Sequence, residues 1–265
     1  MSLLALRGRG SRTRRAGDAG GQGIWVGSAA LVLVALALSG CETSQEKNAK
    51  LERKAKLEQA EHPKSVEKGL TIARASTAVK VLDAAVLRSA EGAAAVVTVR
   101  NLSPHALRSV PIAITVRDAH GRTLFQNDAP GLEAALTSIA VLPAHSEATW
   151  VDDQIPSAGE PASVDAVVGE APAASGPEPR IEITGLHSSE ESGEGAGGTV
   201  RNRSKIAQHK LVVYVLARRA GKLVAAGRAV ISEVAPGAST PFQVFFVGAP
   251  GGATLQASAP PTTFG

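Results

Sequence analysis

A five-residue pattern recurs 101 positions along this chain, as Val99-Arg100-Asn101-Leu102-Ser103 and Val200-Arg201-Asn202-Arg203-Ser204. Two more matches follow in the same order. Gly121 and Gly221, each closing an apolar run, lie 100 apart, and Leu142-Pro143-Ala144-His145-Ser146 aligns with Ala235-Pro236-Gly237-Ala238-Ser239 at an offset of 93. Three ordered matches on one strand-and-turn framework indicate a duplicated unit. The shorter last offset fits an extra segment near 129–137 in the first copy. Asn after a strand suits a turn, because its side chain bonds nearby backbone. The glycines suit tight reversals between paired strands.

The runs between these marks read as strands. In the first copy they are 79–88, 93–100, 110–118, 122–126, 148–151 and 164–168. Ile112, Ile114 and Val116 alternate on one face, and Gly, Pro, Asn and Asp bound the runs, which is the strand signature. Leu132, Ala135, Leu136 and Ile139 break the pattern at helical spacing, so 128–143 reads as a short helix or an ordered loop. In the second copy the strands are 180–186, 212–216, 223–230, 242–247 and 253–257, and 188–198 reads as a flexible loop. Short strands at this spacing in both copies predict an all-β chain of two tandem immunoglobulin-like β-sandwich domains.

The predicted division is 1–40 signal peptide, 41–69 polar helical stalk, 70–170 first sandwich, 171–179 Ala/Pro linker, 180–258 second sandwich and 259–265 loose tail. The stalk is rich in Lys, Glu, Gln and Ala, which favours helix, and His62-Pro63 ends it.

The order strand, Asn-x-Ser, alternating strand, Gly turn, Pro turn and final strand resembles the FxLYD-type domain of exported bacterial proteins. Ile114-Thr115-Val116-Arg117-Asp118 falls where that family's naming motif falls, keeping its apolar pair and Asp but carrying Arg117 for the Tyr. In the second copy Tyr214-Val215-Leu216-Ala217-Arg218 keeps the apolar pair and loses the Asp. The resemblance implies small immunoglobulin-like sandwiches and no catalytic residues.

The N-terminal segment predicts an address. Arg7, Arg9, Arg12, Arg14 and Arg15 precede an uncharged run from Ile24 to Leu38. A basic start, an apolar core and small residues make a secretory signal. Leu38-Ser39-Gly40-Cys41 resembles the lipobox of bacterial lipoproteins, which implies diacylglyceryl transfer to the Cys41 thiol and cleavage before it. Two alternatives stay open: a short uncleaved anchor, and ordinary cleavage near Ala35-Leu36-Ala37. Cys41 is the single cysteine, so no intramolecular disulfide forms.

Of the 28 basic and 24 acidic residues, 1–40 holds five and one, leaving 23 of each. A neutral mature chain argues against a nucleic-acid partner. Residues 70–170 carry net −4 and residues 180–265 net +4. Two readings stand: solvated surfaces with chance imbalance, or attraction of the basic copy to the acidic one or to anionic headgroups. Aromatics are 3% of the chain, so Val, Ile, Leu and Ala must build the cores.

No residue set points to catalysis. The six histidines, His62, His105, His120, His145, His187 and His209, show no metal-ligand spacing. Gly193 to Gly198 precedes a strand without the Lys-Ser of a phosphate loop. Trp150-Val151-Asp152-Asp153 reads either as a sugar or calcium site, or as a core tryptophan followed by a solvated acidic turn. No cofactor and no metal are expected. The expected function is that of a non-enzymatic, lipid-anchored cell-envelope protein, extracytoplasmic, held to the membrane through Cys41 and binding an unknown envelope protein. A passive spacer and an exported hydrolase are the alternatives. The candidate contact surface is the basic hairpin with Arg218, Arg219, Lys222 and Arg228, read also as a solvated hairpin whose charges protect an edge.

Overall fold

The computed structural model describes residues 68–90, 92–156, 159–189 and 195–264. The expected signal, Cys41 and nearly all of the expected stalk lie outside the described residues. Those described fall within one compact unit running from Pro63 to Gly265. It is all-β and holds two immunoglobulin-like β-sandwiches.

The first contains β1 (Val79–Arg88), β2 (Gly92–Asn101), β3 (Leu107–Asp118), β4 (Thr123–Gln126), β5 (Ser138–Leu142), β6 (Glu147–Pro156) and β7 (Pro161–Val168). One sheet runs β1-β2-β6, and in the other β3 pairs with β4, β5 and β7. The second contains β8 (Ile181–Ser189), β9 (Gly195–Asn202), β10 (Gln208–Arg219), β11 (Lys222–Val234), β12 (Ser239–Phe245), β13 (Val247–Gly248) and β14 (Thr254–Ser258). Its sheets run β8-β9-β12 and β13-β11-β10-β14.

The duplication repeats its chemistry at the Asn marks. Asn101 and Asn202 are fully buried. Asn101 Nδ2 donates to the carbonyls of His105, Leu142 and Pro143, at 2.8, 3.1 and 3.0 Å. Asn202 Nδ2 donates to those of Ile206 and Val234, at 2.7 and 3.0 Å. Each Oδ1 accepts from the backbone and hydroxyl of a serine two residues on, Ser103 or Ser204. Each asparagine thus ties a strand end to the turn that follows it and to one remote turn, and leaves none of its buried amide atoms without a partner.

The last sequence match shifts by one residue. Asn101 N–H donates to Ser146 and Asn202 N–H to Ala238, so the turns correspond at an offset of 92, not 93. Backbone conformation decides this. His145 (φ 52°) and Gly237 (φ 71°) are the left-handed residues of the two turns, so His145 matches Gly237 rather than Ala238.

The extra segment is not a helix of the kind its spacing predicts. A 3-10 turn covers only Ala134–Leu136, and Ser138–Leu142 is strand. Ile139 is buried opposite Val110, so its apolar side serves a sheet, not a helix face. β4 and β5 together occupy the place that the unbroken β11 fills in the second copy. Asn127 bridges the break: its Oδ1 accepts from Ile114 N–H at 2.8 Å, and its Nδ2 donates to Ile112 and Leu136 carbonyls at 2.9 and 2.8 Å. A side chain here stands in for the missing ladder bonds.

Two other sequence readings need correction. Gly195–Gly198, assigned to a loop, opens β9. An added Cβ would meet the Phe242 ring at Gly198 (2.8 Å) and the His187 ring at Gly197 (2.9 Å). These glycines give room to aromatic neighbours, which a flexible-loop reading misses. The residues after Ala259 are also held: Thr262 and Thr263 N–H donate to Gln208 Oε1 at 2.9 and 3.2 Å.

Candidate functional site

The two sandwiches meet face to face. On β2 and β6, Val97 and Trp150 pair on the inner face, while Val96 and Val151 pair on the outer one. Outer residues of a lone sandwich face water, yet Val96 and Val151 are buried. They share one apolar cluster with Val212, Tyr214, Leu216 and Ala226 of β10 and β11.

Comparing the copies explains why only these faces meet. By the ladder correspondence, Val96 and Val151 become Gly197 and Gln243 in the second copy. Val212, Tyr214 and Leu216 become Pro111, Ala113 and Thr115 in the first. Each copy is apolar where it meets the other and small or polar on the matching outward face. Such divergence closes a repeat array at two units, because an uncapped apolar face would add another.

Polar groups fix the register of this junction. Arg228 on β11 donates from Nε to Asp153 Oδ1 at 2.9 Å and from its backbone N–H to Asp153 Oδ2 at 3.0 Å. The side chains are 3% and 16% exposed. Two donors on one carboxylate, in a dry place, form a strong and directional contact. Arg228 Nη1 is buried without a partner among the described residues. Asp152, one residue earlier, is buried inside the first sandwich, and desolvation pushes its carboxyl up to about 6. Burial also raises Tyr214, whose phenol lies beside Arg228 and the two aspartates.

The basic hairpin therefore divides. Arg228 does not belong to a contact surface: it is buried in the junction, because β11 runs on past the hairpin into the interface. Lys222 and Arg219 are exposed at the hairpin end and Arg218 is half-buried. Arg219 Nη2 donates to the carbonyls of Ala249 and Gly251, and Arg218 Nη1 to that of Gly221 at 3.3 Å. The acidic turn at Trp150–Asp153 also needs correction. Trp150 is a core residue, donating from Nε1 to Ala135 O at 2.8 Å. Strand β6 continues through both aspartates, so neither is in a solvated turn. The sequence named Asp153 but not its role, because its partner lies 75 residues away.

Asp118, at the end of β3, caps the β3–β4 turn. Its Oδ1 accepts from His120 and Arg122 N–H, both at 2.9 Å, and the Arg122 backbone bond holds its carboxyl below the usual range.

Beside the junction an open cleft of about 850 Å³ lies between the sandwiches. Ile139, Val141 and Thr149 line the first copy's wall, and Leu216, Arg218 and Gln256 the second's. Of its charged lining residues, Glu147 pairs with Arg100 within the first copy and Arg180 with Glu182 within the second. Among the described residues no group of three His, Cys, Asp or Glu gathers as a metal site, and no helix is long and apolar enough to cross a membrane.

No family model matches the chain, and no curated protein matches it. Among solved structures, a red sea bream transglutaminase is similar at 13% identity with a TM-score of 0.21. The match covers 83% of this chain and 32% of that one, so the chain spans about a third of that structure's length. At that level of likeness neither activity nor partner carries over to this chain.

Proposed function

We propose that this is a lipid-anchored, non-enzymatic envelope protein, built from two FxLYD-like modules, that acts as a binding or assembly accessory. The observation that carries the binding reading is the cleft held open beside a buried, hydrogen-bonded junction. A rigid two-module unit presents a pre-shaped surface and loses little entropy on meeting a partner. The buried asparagines and Asp118 also support a non-catalytic reading, since each is fully engaged in holding backbone. The address rests on the lipobox-like Leu38-Ser39-Gly40-Cys41.

Fractionation of cells carrying Cys41→Ser tests the tether. The variant is expected to leave the membrane fraction or to persist as the larger precursor. Unchanged mature size with full membrane retention would overturn lipidation.

A further inference from the structure

Several edge strands of this protein carry recognisable protection. β1 and β8 break register at Val81/Asp83 and Thr184/His187. β12 contains Pro241, and β7 begins at Pro161 and is tied at its other end by Ser76 N–H to Val168 O. Bulges, prolines and cover of this sort stop a foreign strand from pairing. β14 differs. It pairs with β10 on one side without a register shift, and its sequence, Thr-Leu-Gln-Ala-Ser, has no proline and no charge. Alternate N–H and C=O groups of an edge strand point away from its sheet. Gln256, Ala257 and Ser258 line the cleft.

Charge selects what fits. Arg218 lies opposite Thr254 at one end of β14 and also lines the cleft. Among the described residues it meets no carboxylate, only the Gly221 carbonyl. Glu147 and Arg180 are already neutralised by their own partners. Glu178 lies toward the other end, before Arg180, whose carbonyl bonds Arg203 ahead of β10. We propose that β14 receives an extended segment of a partner protein as an added strand, with an acidic side chain beside Thr254 that reaches Arg218 across that residue. Backbone bonds to β14 would supply affinity, and the Arg218 contact would supply direction and selectivity. This inference rests on the binding reading above.

The test uses the full-length protein in detergent and two synthetic nine-residue peptides. Both alternate Val and Thr, one with two Glu at outward positions and the other with two Lys. Calorimetry is expected to show the acidic peptide binding at least about tenfold tighter, with amide-exchange protection confined to Thr254–Ser258. Arg218→Glu should reverse the preference. Equal binding, no binding, or protection on another edge overturns the proposal. Protection that grows with protein concentration alone also overturns it, in favour of a second copy. A partner crosslinked elsewhere on the protein would leave the binding function standing while removing β14 from it.

Discussion

Arg228 grips both oxygens of Asp153, joining strands of two sandwiches through one carboxylate. Breaking a buried pair leaves an unpaired charge, which costs about 3–5 kcal/mol. Arg228→Ala and Asp153→Ala should each lower the unfolding free energy by that order. Arg228→Met with Asp153→Leu should recover much of the loss. Urea denaturation of the four proteins as a double-mutant cycle measures the coupling, and additive single effects would remove the pair from the account.

Asp152 sets a pH dependence. Its carboxyl is raised to about 6 by burial, from 3.8 in the free side chain. The folded state thus favours the protonated form, so a penalty builds as pH rises from about 4 to about 6 and stays constant above. By linkage it is on the order of 3 kcal/mol. Asp152→Asn keeps the acceptor for Gln154 N–H and lacks the charge. The variant should melt higher than the natural protein at pH 7.5, with the gain vanishing near pH 4. Equal melting temperatures at pH 7.5 would contradict the buried, ionised carboxylate.

Asn101 and Asn202 should be individually indispensable to their own copies. Alanine at either site strips several buried backbone groups of partners, and the expected loss is about 2–4 kcal/mol. Amide exchange resolves the two: Asn101→Ala should expose the His105 and Leu142 turns, and Asn202→Ala the Ile206 and Val234 turns. Loss of the same size with no local change would argue against the shared network.

Gly198 and Phe242 occupy the places of Val97 and Trp150 in the other copy. Gly198→Val should cost about 1–3 kcal/mol by overpacking the Phe242 ring. Phe242→Leu in the same chain should return part of it. A neutral Gly198→Val would show that the ring is not held against β9.

Where backbone alone decides, the sequence was legible. Ile112, Ile114 and Val116 alternate as a strand must, and the Asn-x-Ser and Gly marks stand at the turns they name. Ile139 misled because an apolar residue four after Ala135 fits a helix as well as a strand, and only Asn127's bonds to Ile112 and Leu136 show which. The site was less legible. Arg228 read as surface because charge near a hairpin is usually solvated, and nothing local marks Asp153 as its partner. Val96 and Val151 looked like ordinary strand residues, since one sequence does not reveal which face a second domain covers.

Photocrosslinking in living cells, with the probe placed at Gln256 in the cleft and separately at Lys222 on the hairpin, tests the central claim most directly. The account predicts one reproducible envelope protein, crosslinked in near-stoichiometric yield from at least one of these positions. Absence of any such adduct from both, with the protein at its natural abundance, would contradict a binding module and leave a passive spacer.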